Sequence, residues 1–143
     1  MSTRKQLGEQ LALVMQEVIA SAVLTNERIA RSIGLNVVDF QTYGVLLRNA
    51  EPMTPGQVSQ MTELPSSTTT RVLDRLEAKA MVERRPDPLD RRKIWVHARP
   101  FDDDQVMAAY AEIVSQMDQV HAGFTVAELR TVLRYLTEIK NVR

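Results

Sequence analysis

Apolar residues recur at spacings of three and four near the start of the chain. Leu7, Leu11, Val14, Met15, Val18, Ile19 and Ala22 form one stripe, which predicts a helix from about Arg4 to about Ser32. That helix is longer than a small lobe needs. It reads either as a core helix or as one that also packs against a second subunit. Gly34 suits a break, Asn36 suits a cap, and Phe40, Tyr43 and Leu47 share a face up to about Ala50. Thr54-Pro55-Gly56-Gln57 is a helix start: a hydroxyl cap, Pro at the first helical position and Gln three residues on. The short helix after it turns Val58 and Met61 inward and ends near Leu64, before Pro65.

The next helix runs from about Ser67 to about Lys79. Thr69, Val72, Leu73, Leu76 and Ala80 gather on one side of it. Ser67, Thr70, Arg71, Asp74 and Arg75 point away. Met81–Arg85 and Lys93–Ala98 then read as two short strands. Ile94, Val96 and Ala98 alternate with Trp95 and His97, and Pro86-Asp87-Pro88-Leu89-Asp90 makes the turn. Trp95 reads as a packing anchor of this hairpin. Asp102, Asp103 and Asp104 open a further helix, with Val106, Tyr110, Ile113, Val114 and Met117 as its stripe. After Gly123, the capping-box pattern Thr125-Val126-Ala127-Glu128 starts the last helix, marked by Leu129, Val132, Leu133, Leu136 and Ile139.

At 143 residues the chain is the size of one domain, and its 44% apolar and 25% charged content is ordinary for a globular protein. No apolar run approaches the roughly 20 residues of a membrane span, and the N-terminus lacks the compact apolar core of a signal peptide. A cytoplasmic protein is the expectation. The absence of cysteine excludes disulfides, thiolate catalysis and Cys-ligated metal. His97 and His121 are too few and too isolated for a metal site, and no nucleophile–base pair is visible, so neither cofactor nor enzymatic activity is expected.

Net charge is zero, but its distribution is uneven. Residues 65–99 carry nine bases (Arg71, Arg75, Lys79, Arg84, Arg85, Arg91, Arg92, Lys93 and Arg99) against five acids, whereas the flanking segments are slightly acidic. A hydroxyl- and Arg-bearing helix followed by an Arg-tipped hairpin is the arrangement of a helix-turn-helix with a wing. One element enters a DNA groove while the other reaches for its neighbour.

The element order and the strings DRLEAK and VERRPDPLDRR together resemble the MarR family of winged helix-turn-helix regulators over essentially the whole chain. FTVAELRTVLRYLTEI, at 124–139, is similar to that family's C-terminal helix. The implied fold is mainly α with a small β-wing: a winged lobe at 35–99 and dimerisation helices at 1–33 and 100–143, within one domain. The implied function is sequence-specific binding of a palindromic double-stranded operator by a homodimer, in the manner of a repressor. A winged-helix protein-interaction module without DNA binding is the alternative.

By this likeness Arg92 enters the minor groove and Asp90 orients it. Ser67, Thr68, Thr70 and Arg71 contact phosphates and base edges, Arg71 or Arg75 reads guanine, and Arg91 and Lys93 hold phosphates. Asp74 is expected to pair with Arg71 or Arg75. The resemblance also implies relief by a small aromatic or phenolic effector, with Met15, Phe40 and Tyr43 as candidate walls. The chain departs from the family's pattern at Thr69, where an apolar residue is usual, and at Ala80, where Gly is usual. It also lacks the usual Leu-Thr in Ala98-Arg99-Pro100-Phe101.

Overall fold

The computed structural model describes residues 2–100 and 103–142, which fall in two compact units, Met1–Phe101 and Asp102–Arg143. The expected roles of Phe101, after the second strand, and of Asp102, at the next helix start, lie outside the described residues.

The first unit contains α1 (Arg4–Ser32), α2 (Val37–Arg48), α3 (Pro55–Thr62), α4 (Ser66–Ala78), β1 (Val82–Pro86) and β2 (Ile94–Ala98). Each helix start has a local cause. Thr3 and Thr54 close capping boxes with Gln6 and Gln57, and Pro55 occupies the first turn of α3. The Asn36 side chain accepts from Asp39 N–H, at 2.8 Å, to cap α2. Gly34 ends the first helix with φ +71°, which glycine adopts without a Cβ clash.

Leu73, Leu76, Val58, Val72 and Val96 are fully buried, and Ala30, Leu35, Tyr43, Leu46, Met53, Met81 and Val82 complete the buried cluster around them. Losing one such leucine to alanine costs about 2–5 kcal/mol, so this core defines the lobe. The hairpin pairs Arg84 with Val96 and Arg85 with Trp95 in antiparallel register. Met53 adds an isolated bridge to Val96 through two backbone hydrogen bonds, of 3.3 and 2.7 Å. The segment between α2 and α3 is thereby sewn to the wing.

Several side chains stand elsewhere than their periodicity predicts. Leu47 is exposed and Leu46 takes the buried position. Met61 is also exposed, its sulfur facing the Asn49 amide at 3.5 Å, because a helix of eight residues needs only Val58 to close the core. Ala80 lies beyond the end of α4, exposed, instead of on its inner face.

α1 leaves most of its stripe uncovered, with Met15 half-buried: only Ile29 and Ala30, near its C-terminal end, are buried. An 18-residue window of α1 has mean hydropathy 1.4, so by length and composition it is apolar enough to cross a membrane. Short apolar runs broken by Glu9, Gln10, Gln16 and Glu17 concealed this average.

The second unit contains α5 (Asp104–Ala122) and α6 (Val126–Lys140). Thr125 and Glu128 form the expected capping box, and these hydrogen bonds hold the Glu128 carboxyl below its ordinary range. α6 has no buried residue; Val132, Leu133, Leu136 and Ile139 are all exposed along one face.

Candidate nucleic-acid interface

α3 and α4 are joined by a tight turn in which Glu63 adopts φ +57° and the Ser59 hydroxyl donates to Leu64 O at 2.6 Å. α4 begins one residue earlier than its pattern predicts, at Ser66. Pro65 carries no side-chain cap but accepts from Thr69 N–H through its carbonyl, at 2.9 Å. The buried Thr69 hydroxyl donates to the same carbonyl, at 3.1 Å. A threonine is therefore tolerated at an inward position because the helix satisfies its polar atom locally.

With the inner side of α4 taken by Thr69, Val72, Leu73 and Leu76, the helix directs Ser67, Arg71 and Asp74 outward. Thr70 is exposed and its hydroxyl donates back to Ser66 O at 3.0 Å, leaving oxygen lone pairs outward; Thr68 is half-buried.

Arg75 is not a free reader. Its Nε and one Nη each donate at 2.8 Å to the two oxygens of Asp39, a carboxylate on the first turn of α2 that is buried to 2% exposure. This pair raises the Arg75 pKa through the hydrogen bond to Asp39. The fork edge that could have addressed guanine from the side is occupied, which leaves Arg71 as the unengaged arginine of this face. Asp74 also differs from expectation. It accepts from Arg84 of β1 at 2.5 Å, and Glu77 takes the same guanidinium, so both acids anchor the wing to α4 instead of orienting Arg71 or Arg75. Periodicity could not show either pairing, because each partner lies on another element.

Glu83 binds Arg85 at 2.9 Å and Arg99 at 3.0 Å, and these hydrogen bonds lower its pKa from 4.5 to about 2. The nine bases of 65–99 thus divide. Arg75, Arg84, Arg85 and Arg99 are matched by carboxylates. Arg71, Lys79, Arg91 and Arg92 have side chains without a hydrogen bond or ion pair among the described residues. Lys93 rests over the Trp95 ring, 4.6 Å from its centroid.

The wing loop is built around Asp87, which the sequence placed in the turn without a side-chain role, although Pro-Asp-Pro is an Asx-turn signal. One Asp87 oxygen accepts from Leu89 N–H at 2.8 Å and Asp90 N–H at 3.1 Å. The other accepts the Trp95 indole N–H at 2.8 Å. The indole bond first, and the Leu89 N–H second, hold its carboxyl below the usual range. Trp95 is accordingly an anchor of the hairpin. Asp90 acts on the main chain, accepting from Arg92 N–H at 3.1 Å, so it shapes the turn at Arg92, which is exposed.

Of the candidate effector walls, Tyr43 and Phe40 belong to one cluster and Met15 does not. Tyr43 is buried in the winged core and its hydroxyl donates to Arg99 O, Phe40 packs against that core, and Met15 lies on α1 outside the core cluster. Tyr43 closes the lobe instead of lining an opening. A cleft of about 220 Å³ beside α2 has other walls, among them Leu46, Pro52, Val96 and His97.

Residues 33–93, which hold α2 to α4 and the hairpin up to Lys93, match the MarR family model. Over that span the chain is similar to the MarR family. A curated relative, the uncharacterized HTH-type transcriptional regulator YcgE of Bacillus subtilis, is 30% identical over 95 residues, covering 66% of this chain and 61% of YcgE. The chain thus spans about three-fifths of the length of the curated relatives it matches. Among solved structures, a mutant of MepR from a multidrug-resistant S. aureus clinical isolate has TM-score 0.72 at 15% identity, covering 90% of this chain and 94% of that one. Streptococcus pneumoniae FabT, solved in complex with DNA, has TM-score 0.69 at 19% identity, with 92% and 94% covered. At these identities the likeness establishes the MarR winged-helix fold, mostly helical with a two-stranded wing.

Ala80 adopts a left-handed backbone without being glycine. Ala80 N–H bonds Glu77 O at 2.9 Å and Met81 N–H bonds Leu76 O at 3.0 Å, a Schellman stop that requires φ +57° at Ala80. Met81 and Leu76, both buried, supply its apolar contact.

Proposed function

We propose that this chain is a sequence-specific double-stranded DNA-binding transcriptional regulator that acts in the cytoplasm as a homodimeric repressor on a palindromic operator. The division of the basic residues carries the reading. Four arginines are matched inside the lobe, whereas Arg71 on α4 and Arg91 and Arg92 on the wing stand exposed and, among the described residues, unmatched. Such charges are open to an external partner, and DNA phosphates would pair with them.

In this reading α4 lies in the major groove. Ser67, Thr68 and Thr70 approach the backbone closely because they are small, and Arg71 reaches a base edge. Arg92 enters the minor groove, with Arg91 and Lys93 on phosphates. The exposed apolar faces of α1 and α6 suit a second copy of the chain, whose two-fold symmetry would place half-sites about 10 bp apart. Relief by a small aromatic or phenolic effector belongs to the same proposal, with a coupling of about 1–3 kcal/mol.

The test begins with selection of bound sequences from random duplex DNA, followed by anisotropy titrations over a range of salt. An enriched palindrome is expected, bound more weakly by Arg71→Ala and Arg92→Ala, with log affinity falling by about 0.9 per neutralised phosphate for each unit of log salt. No enriched sequence, or wild-type affinity in both variants, would overturn the proposal. Salt-insensitive binding to a protein in place of DNA would do the same.

A further inference from the structure

Leu89 stands at the tip of the wing loop with 98% of its surface exposed, more open than any other large apolar side chain among the described residues. Its exposure is unlike that of the other apolar residues left in water. Those of α1, α5 and α6 fall on helical faces that a second copy can cover, whereas Leu89 sits on a hairpin loop between Pro88 and Asp90.

Nor is it held out loosely. Its own N–H is bonded to Asp87 at 2.8 Å, the neighbouring Asp90 N–H shares that oxygen, and the second Asp87 oxygen is fixed by the Trp95 indole. Backbone bonds from Asp87 N–H to Lys93 O, 2.8 Å, and from Lys93 N–H to Asp90 O, 3.0 Å, close the loop. A network of buttressed hydrogen bonds thus presents an isobutyl group to solvent, with the unmatched Arg91 and Arg92 following within three residues.

We infer that Leu89 is a DNA-contacting residue, lying against the apolar sugar walls of the minor groove beside Arg92. The inference rests on the DNA-binding reading above. A minor groove joins the two chemistries that this tip displays: negative potential for the guanidinium and an apolar deoxyribose wall for the leucine. Since burying a leucine removes only apolar surface from water, its contribution displaces no counterion. It is therefore separable from that of Arg92 by its salt dependence.

The experiment titrates wild type, Leu89→Ser, Leu89→Met and Arg92→Ala against the duplex enriched by selection, at several salt concentrations. Leu89→Ser is expected to bind about tenfold more weakly, from partial burial of one leucine, with the salt slope of wild type. Leu89→Met is expected to restore most of that affinity. Arg92→Ala is expected to lose affinity together with about one unit of slope. Wild-type affinity in Leu89→Ser while Arg92→Ala weakens would overturn the inference and leave DNA binding standing. A fall in slope in Leu89→Ser would also overturn it, by placing the effect on the neighbouring charges. Absence of binding by the wild-type protein would remove the functional reading itself.

Discussion

Replacing Ala80 by glycine should stabilise the protein, although it deletes a side-chain atom and adds no contact. Ala80 is held at φ +57° by the Schellman bonds that end α4, a conformation in which Cβ crowds the following carbonyl. For a residue other than glycine this costs about 1–2 kcal/mol. Glycine relieves that cost but returns about 0.4–1 kcal/mol through the greater freedom of its unfolded chain. Because the Ala80 methyl is exposed, no packing is lost, and the net gain is about 0.5–1 kcal/mol. Urea unfolding followed by circular dichroism, with both proteins at one concentration so that self-association does not shift the midpoint, would read this directly. The melting temperature should rise by about 2–4 °C. Ala80→Val should move the other way, since a β-branched side chain tolerates positive φ less well than alanine. A glycine variant with an unchanged or lower midpoint would refute the assignment of strain to this residue.

Two further expectations concern how the lobe is closed. Tyr43→Phe removes the bond to Arg99 O and should cost about 0.5–1.5 kcal/mol in the same unfolding assay, with little change in core volume; an unchanged midpoint would count against this closure. Glu83 has a folded pKa lowered from 4.5 to about 2, so its contribution is complete above pH 4.5 and disappears as pH falls through about 2. The melting temperature of Glu83→Gln should therefore lie below that of wild type at neutral pH and converge with it toward pH 2. A gap independent of pH would show that the ion pairs with Arg85 and Arg99 are not its source.

Local chemistry made most of the fold readable in advance. Hydroxyl caps at Thr54 and Thr125, the Asn36 cap and the Gly34 break act within a few residues of themselves, and α3, α6, α2 and the end of α1 begin or stop where those residues require. Val72, Leu73 and Leu76 on α4, and Val96 on β2, likewise follow the helical and strand periods. The exceptions have physical causes. Leu46 replaces Leu47 because neighbouring elements select which of two adjacent residues is covered. Met61 stays out because a single buried valine suffices for so short a helix.

The candidate interface was legible as a set of residue types and less so as a set of roles. Arg71, Arg91 and Arg92 could be named from the chain, but nothing in their spacing distinguished them from Arg75, Arg84, Arg85 and Arg99. That distinction came from Asp39, Asp74, Glu77 and Glu83, three of which bind arginines on other elements and the fourth of which bridges two arginines. Caps, turns and apolar periods depend on interactions over one or two turns of chain, so the linear order of residues contains them. Which cation remains open to a ligand depends on charges brought into hydrogen-bond reach from distant segments, and such neighbours exist only once the lobe has closed.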